Sequence, residues 1–220
     1  MAIKVCHMTS THKPKDQRIF HKQCVTLAKA GYDVYLVQQG VSEETNGVHI
    51  VGTGEENKGR FYRLLTRPRM VYKLAKELNA DIYQIHDMEL LPFALKLKKQ
   101  GKKVIFDSHE DFAARFADSD ALPLPMCIKK LLAKMYAWYE NRVVRKIDAV
   151  ISVTPHVCER FAKINPNTVM VTNYPILDTG AWEQDMQYHP EPDYVASAGQ
   201  ICDYYNVSFM VRALQDIKGA

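Results

Sequence analysis

Histidine and carboxylate side chains follow two short apolar runs near the middle of the sequence. The runs cover residues 82–85 and 104–106. After the first come His86, Asp87 and Glu89, and after the second come Asp107, His109, Glu110 and Asp111. Carboxylates and imidazoles exchange hydrogen bonds with hydroxyl groups, hold metal ions and cap helices. Three kinds of site are therefore compatible with these two strand-end clusters.

The spacing of the residues separates these alternatives only in part. Neither cluster has an H-x-x-x-H or H-x-H spacing, and a histidine beside a carboxylate in sequence more often points away from it than toward it. In the capping interpretation, Asp87 and Glu110 begin the helices that follow, and the histidines only make hydrogen bonds. A pocket for sugar hydroxyl groups needs no metal and suits a crevice at strand ends. We expect the hydroxyl pocket, and the other two alternatives stay open.

Short strands alternate with helices along most of the chain. Apolar runs predict strands at 3–8, 33–37, 48–51, 82–85, 103–107, 149–153 and 169–172. This alternation predicts an α/β fold, a Rossmann-like parallel sheet with helices on both faces. Ligands bind beyond the carboxyl ends of such strands. If strands 82–85 and 103–107 are neighbours, about 4.8 Å apart, both clusters face one pocket.

Glycines mark the ends of two predicted helices. Gly31 and Gly101 follow helical patterns at 18–30 and 89–100, and glycine readily adopts the left-handed conformation that ends a helix. The longest pattern, 124–147, repeats apolar residues along one face. It predicts a helix with one buried face.

The last part of the sequence predicts a second domain. Pro175, Pro190 and Pro192 lie in or beside a stretch with few aliphatic side chains, and one more strand, at 194–198, and one more helix follow it. We predict an acceptor-side domain at 1–175, an interdomain linker at 176–192, and at 193–220 the first βα unit of a truncated second domain.

Composition excludes several classes of protein. Five scattered cysteines without a C-x-x-C pair indicate reduced thiols, not a disulfide framework or a zinc site. No apolar run approaches the roughly 20 residues of a membrane-spanning helix, and the N-terminal run is too short for a signal peptide. The net charge of +4 is a mild basic excess that favours an anionic partner. We expect a cytoplasmic protein.

Four ordered motifs make the sequence resemble a known enzyme family. They are HKPKDQRIFHKQCVTLAKAGYDVYLV at 12–37, DIYQIHDMELLP at 81–92, GKKVIFDSHED at 101–111 and NTVMVTNYP at 167–175. Over residues 3–217 the chain resembles the N-terminal half of family-4 glycosyltransferases, which have the two-domain GT-B architecture and assemble bacterial polysaccharides. The resemblance implies sugar transfer with retention of configuration, with the acceptor on this half and the nucleotide-sugar on the other.

The resemblance also implies roles for particular residues. Asp87 resembles the aspartate that borders the donor sugar. His109 resembles the histidine that bonds the sugar's primary hydroxyl and helps to position the transition state. We predict these two as catalytic residues. The residues predicted to bind substrate are His86, Glu89, Glu110, Asp111, His12, Asp16, Arg18 and Asn173. No cofactor or metal is implied, because the nucleotide-sugar is a co-substrate whose main site is expected outside this chain.

The loop after the first strand differs from that of many relatives. It has polar residues at 9–13 where they have paired glycines, and it lacks G-x-G-x-x-G, which argues against dinucleotide binding on this half. We interpret His12, Asp16 and Arg18 as acceptor contacts, including contacts to a phosphate at the start of a helix. An ordinary polar loop is the alternative. In this half alone, Asp87 and His109 are expected to face solvent.

Residues 201–206 depart from the family pattern. Relatives usually place Arg or Lys there to meet the diphosphate of the nucleotide, whereas this stretch has no basic residue. The chain is then either part of a longer enzyme and inactive alone, or a non-catalytic sugar-binding or accessory subunit. A metal-dependent hydrolase is a third alternative.

A basic stretch at 58–76 has seven basic and no acidic side chains, with apolar residues between them. An ordinary solvated helix face explains this pattern as well as any special role does. A basic amphipathic segment also suits anionic lipid headgroups. We therefore expect a lipid-linked acceptor and peripheral contact with the inner face of the membrane. No nucleic-acid-binding motif is present, and we expect no nucleic-acid partner.

Overall fold

A computed structural model describes residues 2–54, 59–109, 124–175 and 207–215. The chain divides into two compact units, Met1–Pro175 and Ile176–Ala220. The predicted linker and the strand predicted at 194–198 lie outside the described residues. The domain assignments therefore stay predictions.

The first unit is built around one sheet of eight strands. Their bounds are β1 Lys4–Met8, β2 Asp33–Gln38, β3 Glu43–Thr45, β4 Val48–Gly52, β5 Ile82–Ile85, β6 Lys103–Ser108, β7 Ala149–Ser152 and β8 Thr168–Met170. The strand order is β3-β4-β2-β1-β5-β6-β7-β8, and every pairing except β3 with β4 is parallel. The predicted Rossmann-like parallel sheet is confirmed.

The edge strand β3 was not predicted. It has three residues of the sequence Glu-Glu-Thr, so it shows no apolar alternation. It pairs with β4 through a tight turn at Asn46 and Gly47, whose φ angles of 52° and 73° are both positive. An Asn-Gly pair favours this kind of hairpin turn, and it was the signal available in the sequence.

Helices cover both faces of the sheet. The first helical segment is a π-helix, Gln17–Cys24, that continues as α1, Val25–Lys29. The others in the first unit are α2 Gly59–Phe61 with a π-helix at Tyr62–Thr66, α3 Arg67–Glu77, a 3₁₀ turn at Met88–Leu90 with α4 Leu91–Lys99, α5 Met126–Val144 and α6 Pro155–Ala162. The second unit contains α7, Val207–Gln215. Gly31 and Gly101 follow α1 and α4 in the left-handed conformation, as predicted.

Two apolar cores hold these layers together. On one face, residues of the central strands such as Tyr83 and Phe106 pack with residues of α3, α4, α5 and α6. On the other, Ile19 and Phe20 of the first helix cover Leu36 and neighbouring residues of β2 and β4. Burying a large apolar side chain contributes about 1.5–3 kcal/mol. The cores therefore fix the strand ends relative to one another.

The prediction of one buried face along residues 124–147 is wrong for the first half of that stretch. Val143 and Ile147 are buried, but Leu131 and Met135 are 57% and 59% exposed, and Trp138 is 66% exposed. The residues of α5 that belong to the core come from its C-terminal turns, with Tyr136 and Tyr139 packed against them. The periodic pattern is real, but the sheet is covered only by the end of the helix. Among the described helices, none is long and apolar enough to cross a bilayer.

Candidate active site

The carboxyl ends of β1, β5 and β6 meet at the middle of one sheet edge. β1 pairs with β5, and β5 pairs with β6. The loop that begins at Thr9 therefore lies beside both strand-end clusters. The strands that precede the two clusters, β5 and β6, are therefore neighbours, as the prediction of one shared pocket requires.

Asp87 is a buried carboxylate that organises the loop after β1. Its Oδ2 accepts hydrogen bonds from Thr9 Oγ1 at 2.8 Å and from the backbone N–H groups of Ser10 and Thr11. Its Oδ1 accepts from Thr11 Oγ1 and lies 2.9 Å from His12 Nδ1. Burial by itself raises the pKa of Asp87, but the contacts with His12 and the loop outweigh it and leave the pKa well below its usual value.

This arrangement argues against one alternative for Asp87, the capping interpretation, and corrects one expectation, that it faces solvent. Its side chain makes no capping bond to the 3₁₀ turn that follows it. It is also only 1% exposed, so it does not face solvent. The physical reason is that three successive residues of the β1 loop fold over it and satisfy both of its oxygens.

His12 and His109 form a direct pair above Asp87. Their Nε2 atoms are 2.9 Å apart, and the ring centroids are 4.9 Å apart. His109 Nδ1 lies 3.2 Å from the backbone oxygen of Asp107. Burial lowers the pKa of His109, and the nearby histidines act in the same direction, whereas Asp107 opposes them. The structure thus brings together His12, Asp87 and His109, three of the predicted site residues.

Asp107 is completely buried and is the centre of a second group of polar contacts. Arg18 donates to both of its oxygens, from Nε at 3.0 Å and Nη2 at 2.8 Å. Gln23 Nε2 donates at 2.7 Å, and His86 Nδ1 lies 3.2 Å away. Burial raises the pKa of Asp107, but His86 and then Arg18 lower it far more, so the carboxyl is ionised. Arg18 is itself 5% exposed, and its predicted contact with an acceptor stays a prediction.

The polar layer continues into β1 and β5. His7 Nδ1 lies 3.0 Å from His86 Nε2, with the two rings stacked, and Gln84 donates to Gln23 at 2.6 Å. His7 and His86 are completely buried. His7, Gln23 and Gln84 were not predicted from the sequence. For His7 and Gln84 the available signal was a polar residue among the apolar residues of a strand.

Stability should depend on pH through His7. Burial is the main reason that the pKa of His7 is lowered to about 3, whereas an unfolded histidine titrates near 6.5. Between these values only the unfolded state takes up the proton. The free energy of unfolding should then fall by up to about 1.4 kcal/mol per pH unit as the pH drops below 6.5. Urea unfolding of the wild type and of His7→Gln between pH 7 and pH 4.5 measures this slope.

The free energy of unfolding should fall less steeply with decreasing pH in His7→Gln than in the wild type. His49→Gln is the matched control, because His49 is a partly exposed histidine on β4. Equal slopes for the wild type and His7→Gln would contradict the assignment.

The remaining predicted residues lie around this centre. Glu89 is half-buried, and burial raises its pKa. Asp16 caps the first helix, because its Oδ1 accepts from the backbone N–H groups of Arg18 and Ile19. Asn173 is exposed and accepts from Lys22 Nζ at 2.6 Å. Glu110 and Asp111 lie outside the described residues. The roles of all five residues as substrate contacts stay predictions.

Among the described residues, one group of side chains has the composition of a metal site. His86, Asp107 and His109 each offer a ligand atom within 4.8 Å of the others. However, both oxygens of Asp107 already accept from Arg18, and a guanidinium charge at this distance opposes a cation. We therefore assign no metal ion to these residues.

A family model described as Glycosyltransferase Family 4 matches residues 17–178. The chain belongs to this family. The match includes β5 and β6 and the residues that follow them, so Asp87 and His109 lie within the family-4 region. No curated protein matches the chain in sequence.

Solved structures support the same fold for this family-4 chain. It is similar to a sucrose-phosphate synthase from Thermosynechococcus elongatus at 12% identity and a TM-score of 0.54, covering 77% of this chain and 48% of that one. It is also similar to LpCGTa in complex with UDP, at 9% identity and a TM-score of 0.53. That match covers 80% of this chain and 54% of LpCGTa. A third similar structure is UGT73P12 from Glycyrrhiza uralensis, complexed with glycyrrhetinic acid 3-O-monoglucuronide. Its identity is 12% and its TM-score 0.51, and the match covers 80% of this chain and 49% of that one.

At these identities the likeness concerns the fold alone. The chain spans about half the length of the solved structures it matches. Its sheet is thus the Rossmann-like sheet of a GT-B glycosyltransferase.

Proposed function

We propose that this chain supplies the acceptor-side half of a retaining glycosyltransferase. The enzyme would move a sugar from a nucleotide-sugar to a polysaccharide or lipid-linked acceptor. The observation that carries the proposal is the group formed by Asp87, His12 and His109 at the carboxyl ends of the central strands of a family-4 domain.

The chemistry of this group suits sugar transfer. Imidazole nitrogens exchange hydrogen bonds with hydroxyl groups. Dipoles that are fixed before the reaction stabilise a developing charge without moving during it. Asp87 and the backbone oxygen of Asp107 hold the two imidazoles from opposite sides. The site is therefore preorganised by the protein's own residues.

A transfer assay of the full-length natural protein tests the function. It would be given labelled UDP- and GDP-sugars together with polyprenyl-phosphate and oligosaccharide acceptors. We expect labelled product with one donor–acceptor pair and retained anomeric configuration by NMR. Binding of a sugar without transfer from any donor would instead favour a non-catalytic accessory subunit.

The donor site is proposed to lie outside residues 1–220, and no other cofactor is proposed. Hydrogen bonds to one face of a sugar, in competition with water, contribute only about 1 kcal/mol each. Calorimetric titration of this chain with UDP- and GDP-sugars should show no micromolar binding. A micromolar dissociation constant for any of them would place the donor site in this half after all.

A peripheral contact with the inner face of the membrane is proposed for the basic stretch, which agrees with a cytoplasmic enzyme and a lipid-linked acceptor. Phe61 and Leu65 are 81% and 54% exposed there, and the nearby Arg63 and Arg69 are also exposed. Arg67 differs, because it is buried and its Nη1 donates to the backbone oxygen of Ser10.

Removing the two exposed apolar side chains should weaken membrane binding. Each contributes about 1.5–3 kcal/mol when buried, so Phe61→Ser with Leu65→Ser should reduce binding to phosphatidylglycerol vesicles at least about tenfold in a sedimentation assay. Binding should also weaken as salt rises. Val41→Ser changes an apolar residue elsewhere whose exposure of 64% lies between those of Phe61 and Leu65, and it serves as the control. Equal binding by the double variant and this control would exclude the contact.

A further inference from the structure

Four groups form a continuous line of contacts through the site. Asp87 Oδ1 lies 2.9 Å from His12 Nδ1, and His12 Nε2 lies 2.9 Å from His109 Nε2. His109 Nδ1 lies 3.2 Å from the backbone oxygen of Asp107. Both ends of the line are acceptors only, because an ionised carboxylate and a carbonyl have no proton to donate.

Counting protons along this line shows that the histidine pair is charged. Each of its three contacts needs one proton between the two atoms. Two neutral imidazoles bring only two. The hydroxyl of Thr9, also near His12 Nδ1, cannot supply the third, because it donates to Asp87 Oδ2. The pair therefore holds one extra proton and one positive charge.

The charge belongs on His12. His12 is in direct contact with the Asp87 carboxylate, whereas burial disfavours the charged form of His109, whose pKa is lowered. With His12 protonated on both nitrogens, His12 Nε2 donates to His109 Nε2. His109 then carries its single proton on Nδ1, and this N–H donates a hydrogen bond to the backbone oxygen of Asp107.

We propose that His12, as an imidazolium paired with Asp87, is a positioning residue that holds His109 in its Nδ1–H tautomer with Nε2 as a bare acceptor. The use of this arrangement in sugar transfer rests on the proposed function, whereas the protonation of the pair does not. The other charged and titratable groups near the pair include His86, Glu89 and Asp107, with Arg18 bound to Asp107 and Arg67 bound to the backbone of Ser10.

The arrangement also indicates which group of a substrate can take the place of the direct contact between the rings, which must separate to admit it because their Nε2 atoms are only 2.9 Å apart. His12 Nε2 presents a donor and His109 Nε2 an acceptor. A hydroxyl group donates and accepts at once, so it satisfies both when it replaces their direct contact. An ionised phosphate oxygen accepts only and would leave His109 Nε2 without a proton. The pair therefore selects a hydroxyl group of the sugar or of the acceptor.

Nitrogen-15 NMR of the 220-residue chain, labelled at histidine, tests the proposal without any ligand. At pH 7 we expect both ring nitrogens of His12 to carry protons and His109 to carry one, on Nδ1. The eight histidines are assigned with single His→Gln variants. A neutral His12, or a His109 protonated on Nε2 alone, would overturn the proposal. This wild-type measurement stands even if a variant fails to fold.

Two substitutions of His12 separate positioning from simple packing. The amide of His12→Gln can still donate to His109 Nε2, so the Nδ1–H tautomer should persist. His12→Leu removes the donor, and His109 should then exchange between both tautomers. His21→Gln, at an exposed histidine of the first helix, should change nothing. If His109 keeps its tautomer in His12→Leu, the carbonyl alone sets it and His12 has no positioning role.

These results are independent of the transfer assay. Charged His12 in a protein that transfers no sugar would contradict the proposed function and leave this inference intact. An active transferase with neutral His12 would do the reverse.

Discussion

Replacing Arg18 with alanine should lower the free energy of unfolding by about 3–5 kcal/mol. The guanidinium is bound by two hydrogen bonds to Asp107, and Asp107 is completely buried. Without Arg18 this carboxylate would remain in the interior with Gln23 and His86 as its partners. Desolvation of the uncompensated charge is the reason for the large effect. Urea unfolding at pH 7 measures it.

Two controls separate the buried pair from a general loss of charge. Lys22→Ala removes an exposed cation from the same helix and should cost less than about 1 kcal/mol. Arg18→Lys keeps the charge but loses the bidentate geometry. Its loss of unfolding free energy should therefore lie between those of Arg18→Ala and Lys22→Ala. A loss below about 1 kcal/mol for Arg18→Ala would show that Arg18 does not compensate Asp107.

The pH dependence gives a second readout for the same variant. In the wild type the pKa of Asp107 is lowered by folding, so its contribution is present above the unfolded value of about 3.9 and is lost as pH falls below it. Arg18→Ala lacks the part of this contribution that Arg18 supplies, whereas the part from His86 remains. The stability difference between the two proteins should therefore shrink below pH 4.

If the proposed sugar transfer is correct, replacing His109 with alanine should reduce its kcat/KM about 10²–10³-fold, as the removal of one preorganised group from a transition-state site does. His109 Nδ1 lies 3.2 Å from the backbone oxygen of Asp107, and a substrate hydroxyl that replaces His12 at Nε2 leaves this contact in place, so the ring is held before the substrate binds. We expect most of the loss in kcat. A rise in KM alone would indicate that His109 binds the ground state and the transition state equally.

The choice of His109 over Asp87 for this test follows from burial. Asp87→Ala would remove the acceptor for Thr9, Ser10 and Thr11 as well as the partner of His12. Its loss of activity would therefore be accompanied by loss of structure. His21→Ala, at an exposed residue, is the matched control for His109→Ala. Retention of near-normal turnover by His109→Ala would remove it from the catalytic residues.

The parallel sheet and the neighbouring strand ends were predictable because both leave local patterns. Apolar runs mark strands such as β5, and the polar residues after them mark the edge where ligands bind. The burial of Asp87 leaves no such pattern, since the residues that cover it are 76–78 positions away. His7 was missed for a related reason. A single histidine in a strand is compatible with an outward position, and only its partner His86 shows that it points inward.

The exposed half of α5 was unpredictable for a different reason. An apolar repeat shows which side of a helix is apolar, but not how far the partner surface extends beneath it. Here the core includes Val143 and Val144, whereas Leu131 remains exposed.

Folding of the first unit cannot proceed simply from the N-terminus onward. The middle strand β1 pairs with β2 on one side and with β5 on the other, and Arg18 meets Asp107 across 89 positions of sequence. Until Asp107 has been synthesised and has left the ribosome, the nascent chain lacks the carboxylate that pairs with the Arg18 guanidinium in the interior. Long-range pairing of this kind makes folding slow and leaves early intermediates open to aggregation. The same polar layer that holds the site thus delays completion of the sheet until the strands on both sides of β1 have been synthesised.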